Sequence, residues 1–440
     1  MVSIWYINLV YVIFAGSTYK LSEEGTMKKA FHVVSVVFLI IMAFCSVWAD
    51  SAAALQQGPM EEVKLTADNP VALADFGRSV AIDGDLVAVG AGGANADSVL
   101  GAGAVYLYKR QGLTYVPEAI LVAPDATTGA EFGRIVAIKG NVVVVGARFA
   151  QVGTFSKAGA AYVFRKYKGA WHLEEKIASP TPANEDNFGR ALAVQGDVLV
   201  VTARKENINA SDVGAAYVYS YRGGAWMYQE KLTASDPSPG AYFGQSVAIQ
   251  GDVLAIGARN ADPNAAGAVY LFRPAGSGWV EFAKVTPPDG ITDDQFAFTI
   301  ALTGDVMAVG ARRADLTGAK DAGAAYVYSV DQDSVDLVVK LTASDAKASD
   351  QFGQAIAIAG DVIAVGANRA DIGSNKDQGA IYLFRRLGNE WIETDKLTAS
   401  DGIAGDEFGY SLAAFGNRMV TGAHTADSTE GVAYVLPLKP

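Results

Sequence analysis

Residues 243–285 read FGQSVAIQGDVLAIGARNADPNAAGAVYLFRPAGSGWVEFAKV, and this stretch decides the fold. Val247 to Ile249, Val253 to Gly257, Ala268 to Arg273 and Trp279 to Val285 are short runs rich in Val, Ile, Tyr and Phe. Each is bounded by Gly or polar residues, the pattern of strands. None sustains a period of about 3.6 residues long enough for a helix, so helices are not expected. Gly251-Asp252 between the first two runs is a two-residue link of the kind that closes a tight hairpin.

Working outward, the opening Phe-Gly recurs at Phe76-Gly77, Phe132-Gly133, Phe188-Gly189, Phe352-Gly353 and Phe408-Gly409, with Phe243-Gly244 already quoted and a degenerate Phe296-Ala297. The steps are 56, 56, 55, 53, 56 and 56 residues, so seven copies fill the chain from about residue 61 to its end. Four antiparallel strands repeated at this spacing predict an all-β, seven-bladed propeller. The last copy, from FGYSLAAFGNRMVTGAH at 408–424 to GVAYVLPL at 431–438, lacks a fourth strand. EEVKLTAD at 61–68 is that strand, placed at the other end of the chain. Pairing the two closes the ring and covers an edge that otherwise invites aggregation.

Phe-Gly, then Val-Gly-Ala, then Gly-Ala-x-Tyr-Val-Phe resembles the FG-GAP repeat family, and the LTASD linkers resemble its bacterial subgroup. The resemblance covers residues 61–440 and implies a fold like the propeller head of integrin α-subunits. In that fold Phe fills the wedge between blades, and Gly lets the chain turn where a Cβ clashes.

Two departures bear on function. The third position of the family's Gly-Ala-Pro is occupied by residues such as Arg259 and His424. The family's calcium loop between the first two strands is replaced by Gly84-Asp85, Gly140-Asn141, Gly196-Asp197, Gly251-Asp252, Gly304-Asp305, Gly360-Asp361 and Gly416-Asn417. A two-residue turn cannot wrap calcium in its six to eight oxygens. No cofactor is expected, and calcium only if another place supplies the oxygens. The candidates for that place are Asp315 with Asp321 and Asp371 with Asp377, six apart in their loops. Turn capping by Asp is the competing reading of the same residues.

The chain has 440 residues, of which 47 are Gly and 19% are charged, with a net charge of −12. Apolar residues make up half of it, which excludes a disordered chain. Its acidity argues against a nucleic-acid partner, and its one cysteine excludes a disulfide framework or CxxC metal site. Met27-Lys28-Lys29, an apolar run from Val33 to Trp48, and Ala49 read as a signal peptide over 27–49. Residues 1–26, with their own apolar run from Ile4 to Ala15, then read as a mis-assigned start or an extra leader, and 50–60 form a linker. A transmembrane hairpin or a membrane-tethered N-terminus is the alternative if that leader is retained. Cleavage after Ala49 leaves 32 basic and 45 acidic residues and removes Cys45. The location implied is secreted, periplasmic or cell surface.

The links between blades collect Asp68, Asp75, Asp125, Glu131, Glu185, Asp186, Asp236, Asp289, Asp293, Asp294, Asp345, Asp350, Asp401, Asp406 and Glu407 against Lys347. The turns on the opposite face carry Lys109, Arg110, Arg165, Lys166, Lys168, Arg222, Arg273, Arg385 and Arg386. One acidic and one basic rim are therefore expected, the acidic one suited to a basic ligand. Trp171, Trp226, Trp279 and Trp391, with Tyr115, recur in phase with the repeats and so read as packing, where stacking on sugars is the other reading. The sequence shows no G-x-S-x-G or HExxH motif and no dinucleotide fingerprint, and beyond the leader only His172 and His424. The function expected is a noncatalytic binding or adhesion module for a protein or glycan. The alternative is a carbohydrate-active propeller enzyme with a central-channel site.

Overall fold

The computed structural model describes residues 61–438, apart from 68–73, 97, 262–263, 333 and 389. The leader, the stretch before it and the linker lie outside the described residues. Seven four-stranded antiparallel sheets form the blades of a ring, as the repeat arithmetic predicts. In blade one, Phe76–Asp83, Leu86–Ala91, Ala104–Gln111 and Thr114–Leu121 pair in chain order. The innermost strands of successive blades touch in turn, and that of blade seven touches that of blade one.

Blade seven closes as expected. Val63–Leu65 pairs with Val432–Pro437, setting Val63 opposite Val435 and Leu65 opposite Ala433. Two details differ from the sequence reading. The inner strands of blades one to six start at the Phe, earlier than the Val-rich run suggested, as in Phe243–Gln250, and that of blade seven starts at Ser411. A single turn of helix, Ala426–Thr429, sits in the last blade before its third strand. Among the described residues, no helix is long and apolar enough to cross a membrane.

The repeated residues explain the architecture. Gly84 turns with φ near +59° while Asp85 keeps a negative φ, the geometry of a type II′ hairpin. Every repeat Phe is fully buried. Its ring meets a third-strand Tyr edge-on, with centroids 5.6 Å apart for Phe352 and Tyr382. Its backbone N–H donates to the preceding blade, Phe352 to the Ala322 carbonyl at 2.9 Å. Burying each such ring contributes about 1.5–3 kcal/mol. Gly353 follows with φ near +91°, and a Cβ there lies 2.5 Å from the Ala324 carbonyl oxygen of the preceding blade. The core therefore lies between blades. One apolar cluster joins Ala88, Val105 and Leu107 of blade one to Phe132, Val145 and Tyr162 of blade two. Another joins Leu65, Val420 and Val435 of blade seven to Phe76 and Tyr106 of blade one.

Candidate functional site

The link face carries the residues most at issue, and the structure corrects its expected charge. Counting within the links missed the lysines of the adjoining strands. The Asp345 carboxylate accepts from the Tyr382 hydroxyl and the Lys396 ammonium, each at 2.7 Å, and both donors belong to the next blade. Asp125, Asp236, Asp289 and Asp401 hold Tyr162 with Lys176, Tyr270 with Lys284, Tyr326 with Lys340, and Tyr434 with Lys64 in the same way. In blade three Glu206 takes over, accepting from Tyr217 and Lys231. Burial pulls these five aspartates upward, but the Lys and Tyr bonds outweigh it and hold each below the ordinary carboxylate range.

A second set is buried. Asp186, Asp294, Asp350 and Asp406 each accept the backbone N–H three residues earlier, and burial raises all four. Asp75, Glu131, Asp293 and Glu407 lie against Arg78, Arg148, Arg313 and Arg369. Asp68 lies outside the described residues. Five of the link aspartates thus clasp neighbouring blades and most of the other link carboxylates are engaged within the ring, while Glu185 stands exposed. The basic residues opposite, Lys168 apart, fall on the ends of the third strands rather than in the turns. They are partly engaged too, Arg165 with Glu174 and Lys166 with Glu118.

The two aspartate pairs are not brought together as ligand sets. Asp315 accepts the Asp321 N–H at 2.8 Å, and Asp371 the Asp377 N–H at 3.1 Å. Asn95 and Asn207 close the corresponding loops in blades one and three by the same bond. The spacing of six is loop closure, and no group of three or more His, Cys, Asp or Glu placed for a metal occurs among the described residues. The tryptophans pack. Trp226 and Trp391 are buried, and Trp171 donates its indole N–H to Glu118 of the preceding blade at 2.7 Å.

What the sequence reading missed lies around the axis. In blade two Phe132 pairs with Ala147 but Ile135 with Gly146, so Gly133 and Arg134 are extra residues on the inner strand. Such bulges re-aim side chains. In blades one to six the position two after the Phe thereby reaches the axis mouth, held by Arg78, Arg134, Arg190, Gln245, Phe298 and Gln354, and Tyr410 takes the same place just before the inner strand of blade seven. Second strands end at the same level with Arg148, Arg204, Arg259, Arg312, Asn368 and His424. Arg204 Nη1 donates to Gln245 Oε1 at 2.9 Å, and Arg312 Nη1 to Gln354 Oε1 at 3.0 Å. Arg78 stacks over Tyr410, whose ring lies 3.9 Å from that of His424.

The mouth is therefore a crowd of guanidiniums. Burial and then Arg78 and Arg148 push Arg134 down to about 10, while burial and then Arg259 and Arg148 do the same to Arg204. Both keep their charge at neutral pH. The Nε atoms of Arg78, Arg190, Arg204 and Arg259 are shielded from solvent without a hydrogen-bond partner. Burial and then Arg78 and Arg134 hold the His424 imidazole neutral, with its pKa lowered to about 3. The signal was present in the sequence, because Arg78, Arg134 and Arg190 stand 56 residues apart, in step with the blades.

The FG-GAP repeat pattern matches residues 59–108, 115–164, 171–219, 226–272, 279–328, 335–384 and 391–436. The second match opens on the outer strand of blade one and ends in the third strand of blade two, so the sequence unit straddles two blades. The comparison with curated proteins finds no match. A chain of the crystal structure of the mitotic checkpoint complex superposes with a TM-score of 0.53 at 12% identity, covering 87% of this chain and 93% of that one. A putative 6-phosphogluconolactonase from Bacteroides uniformis gives 0.51 at 11%, covering 74% and 87%. At such identities the likeness shows the fold alone.

Proposed function

The chain belongs to the FG-GAP repeat family, and from that premise we propose a secreted or surface-exposed, noncatalytic binding module whose partner, a protein or a glycan, docks at the arginine-lined mouth of the ring. The observation that carries this reading is the contrast on one face. Link carboxylates are engaged by Tyr and Lys of the next blade, whereas four mouth arginines keep shielded Nε donors without partners. Guanidinium groups hold their proton at neutral pH, so they bind and orient a ligand rather than exchange protons with it. Docking thus moves from the rim to the mouth, and the partner need not be basic. Secretion rests on the leader read at 27–49.

A glycan and protein array probed with the intact protein, with and without calcium, tests the reading. Capture independent of calcium and lost on Arg259→Gln is expected, and capture that survives this substitution contradicts it.

One observation favours the enzyme reading. Glu407, raised by burial, has Oε2 3.8 Å from the buried, unpartnered Nδ1 of His424, beside Tyr410. Turnover of a glycoside abolished by Glu407→Gln would replace the binding reading with this one.

A further inference from the structure

We propose that Arg190 is the anchor of an oxyanion-binding site at the axis mouth, taking a phosphate, sulfate or carboxylate group. This deepens the binding reading above and rests on it for the place of docking.

The repeat supplies its own control. The arginine ending a second strand meets the residue two after the next blade's Phe, as Arg204 meets Gln245 and Arg312 meets Gln354, and there a glutamine oxygen accepts from the guanidinium. Between blades two and three the same two positions are Arg148 and Arg190, so that acceptor is replaced by a second cation. Arg148 is satisfied elsewhere, its Nε 2.7 Å and its Nη2 3.2 Å from the Glu131 carboxylate. Arg190 is not. It has no hydrogen-bond or ion-pair partner among the described residues, and its Nε is shielded from solvent.

The surroundings remove the usual remedies. Immediately before their Phe, blades one, two and seven carry Asp75, Glu131 and Glu407, but blade three carries Asn187. Asn187 turns its amide away, donating to the Glu185 carbonyl at 3.0 Å. The charges that bear most on Arg190 are those of Arg204, Arg134 and Arg148, all of its own sign. Among these four guanidiniums the paired carboxylate is Glu131, which lies 2.7 Å from Arg148 and 3.9 Å from Arg134. Shielded, unpaired cations are costly, and a buried donor without an acceptor costs further. An oxyanion meets both demands, because its oxygens match the planar fork of a guanidinium and its charge offsets the mutual repulsion. A neutral sugar hydroxyl supplies an acceptor without the charge, and a metal cation adds to the repulsion. The Nε of Arg204 is likewise shielded and without a partner.

The test uses the intact protein with potassium phosphate, sodium sulfate and sodium glucuronate, at constant ionic strength maintained with chloride. Wild type is expected to take up one anion saturably by calorimetry, with a melting temperature that rises as ligand linkage requires. Arg190→Gln installs the glutamine seen at the sister positions. It should melt no lower than wild type in chloride and bind the anion at least about tenfold more weakly. Arg386→Gln, at an exposed residue near the end of the third strand of blade six, away from the mouth, should bind as wild type does. Uptake of any of the three anions that is lost in Arg190→Gln supports the site and says which group the ligand carries. An equal response in wild type and Arg190→Gln, or no response in wild type, overturns it. Should Arg190→Gln fail to fold, Arg190→Lys keeps the charge without the fork and is expected to show the same weakening. These probes contain no partner, so their failure leaves the Arg259-dependent capture to be judged separately.

Discussion

Lys64 Nζ lies 2.8 Å from Asp401 Oδ2, joining residues 337 apart in sequence across the seam of the ring. Tyr434 donates to the other oxygen of the same carboxylate at 2.7 Å. The seam thus uses the clasp found between blades whose connection is covalent. Removing 61–68 deletes Lys64 and the strand that covers Val432–Pro437. The truncated protein is expected to aggregate or fold poorly, because the third strand of blade seven becomes an open edge. A monomer by size-exclusion chromatography with an unchanged melting temperature would show that the ring does not depend on this strand.

Stability in acid should follow two sets of aspartates and one histidine. Asp186, Asp294, Asp350 and Asp406 are raised by burial, so the folded state binds their protons first and gains stability as pH falls toward the unfolded value of 3.8. Asp125, Asp236, Asp289, Asp345 and Asp401 are lowered, burial being outweighed by their Lys and Tyr bonds. Their contribution is complete above 3.8 and is lost as pH falls through the lower folded values. His424, lowered to about 3 by burial and then Arg78 and Arg134, works against the buried aspartates: the unfolded imidazole takes up a proton below about 6.5 and the folded one does not, so stability is lost from there downward. In a His424→Asn variant, which removes that loss, melting temperature is expected to hold or rise from neutrality to about pH 5 and to drop below about pH 4. A steady decline from neutrality in that variant contradicts this.

Gly353→Ala should destabilise by at least about 2 kcal/mol, combining a left-handed backbone with a backbone clash. The Ala324 carbonyl that it meets, 2.5 Å from the added Cβ, is held in the preceding blade and cannot swing away as a flexible side chain does. A denaturant midpoint within error of wild type would remove the close approach from the account. Ala297 shows that the ring tolerates one such strained residue, at φ near +64°.

The aspartate loops should ignore calcium. Asp371→Asn preserves the acceptor for the Asp377 N–H, as Asn95 and Asn207 do in their own loops. Its melting temperature is expected to match wild type, and neither protein should respond to calcium or chelator. A calcium-dependent rise in wild type that Asp371→Asn abolishes would restore the ligand reading of the pair.

Much of this is legible in the sequence. Six Phe-Gly pairs and Phe296-Ala297 at nearly constant steps set blade number, strand order and the seam, because a repeat too small to bury its own apolar face must stack on its neighbours. The charge on the link face was not legible, because Asp345 is clasped by Lys396, 51 residues on, and a count confined to the links omits that lysine. The mouth was hidden for a related reason. Arg134 and Arg190 are 56 apart, and only the bulge after each Phe, together with closure, brings them to one axis. Recurrence at the repeat period is the available clue, at Arg78, Arg134 and Arg190 and again at Arg148, Arg204, Arg259 and Arg312 after four of the second strands.

On the link face, carboxylates such as Asp345 hold the ring together and the mouth arginines are the proposed holders of a ligand. The most direct measurement is the phosphate-dependent shift in melting temperature of wild type, Arg190→Gln and Asp345→Asn at constant ionic strength. Asp345→Asn loses an ion pair to Lys396 that is partly exposed on both sides, so its basal melting should fall modestly, by about 1 kcal/mol or less in stability. The prediction is a shift retained in Asp345→Asn from that lower baseline and lost in Arg190→Gln from an undiminished one. A shift that survives in Arg190→Gln, or disappears in Asp345→Asn, contradicts the division.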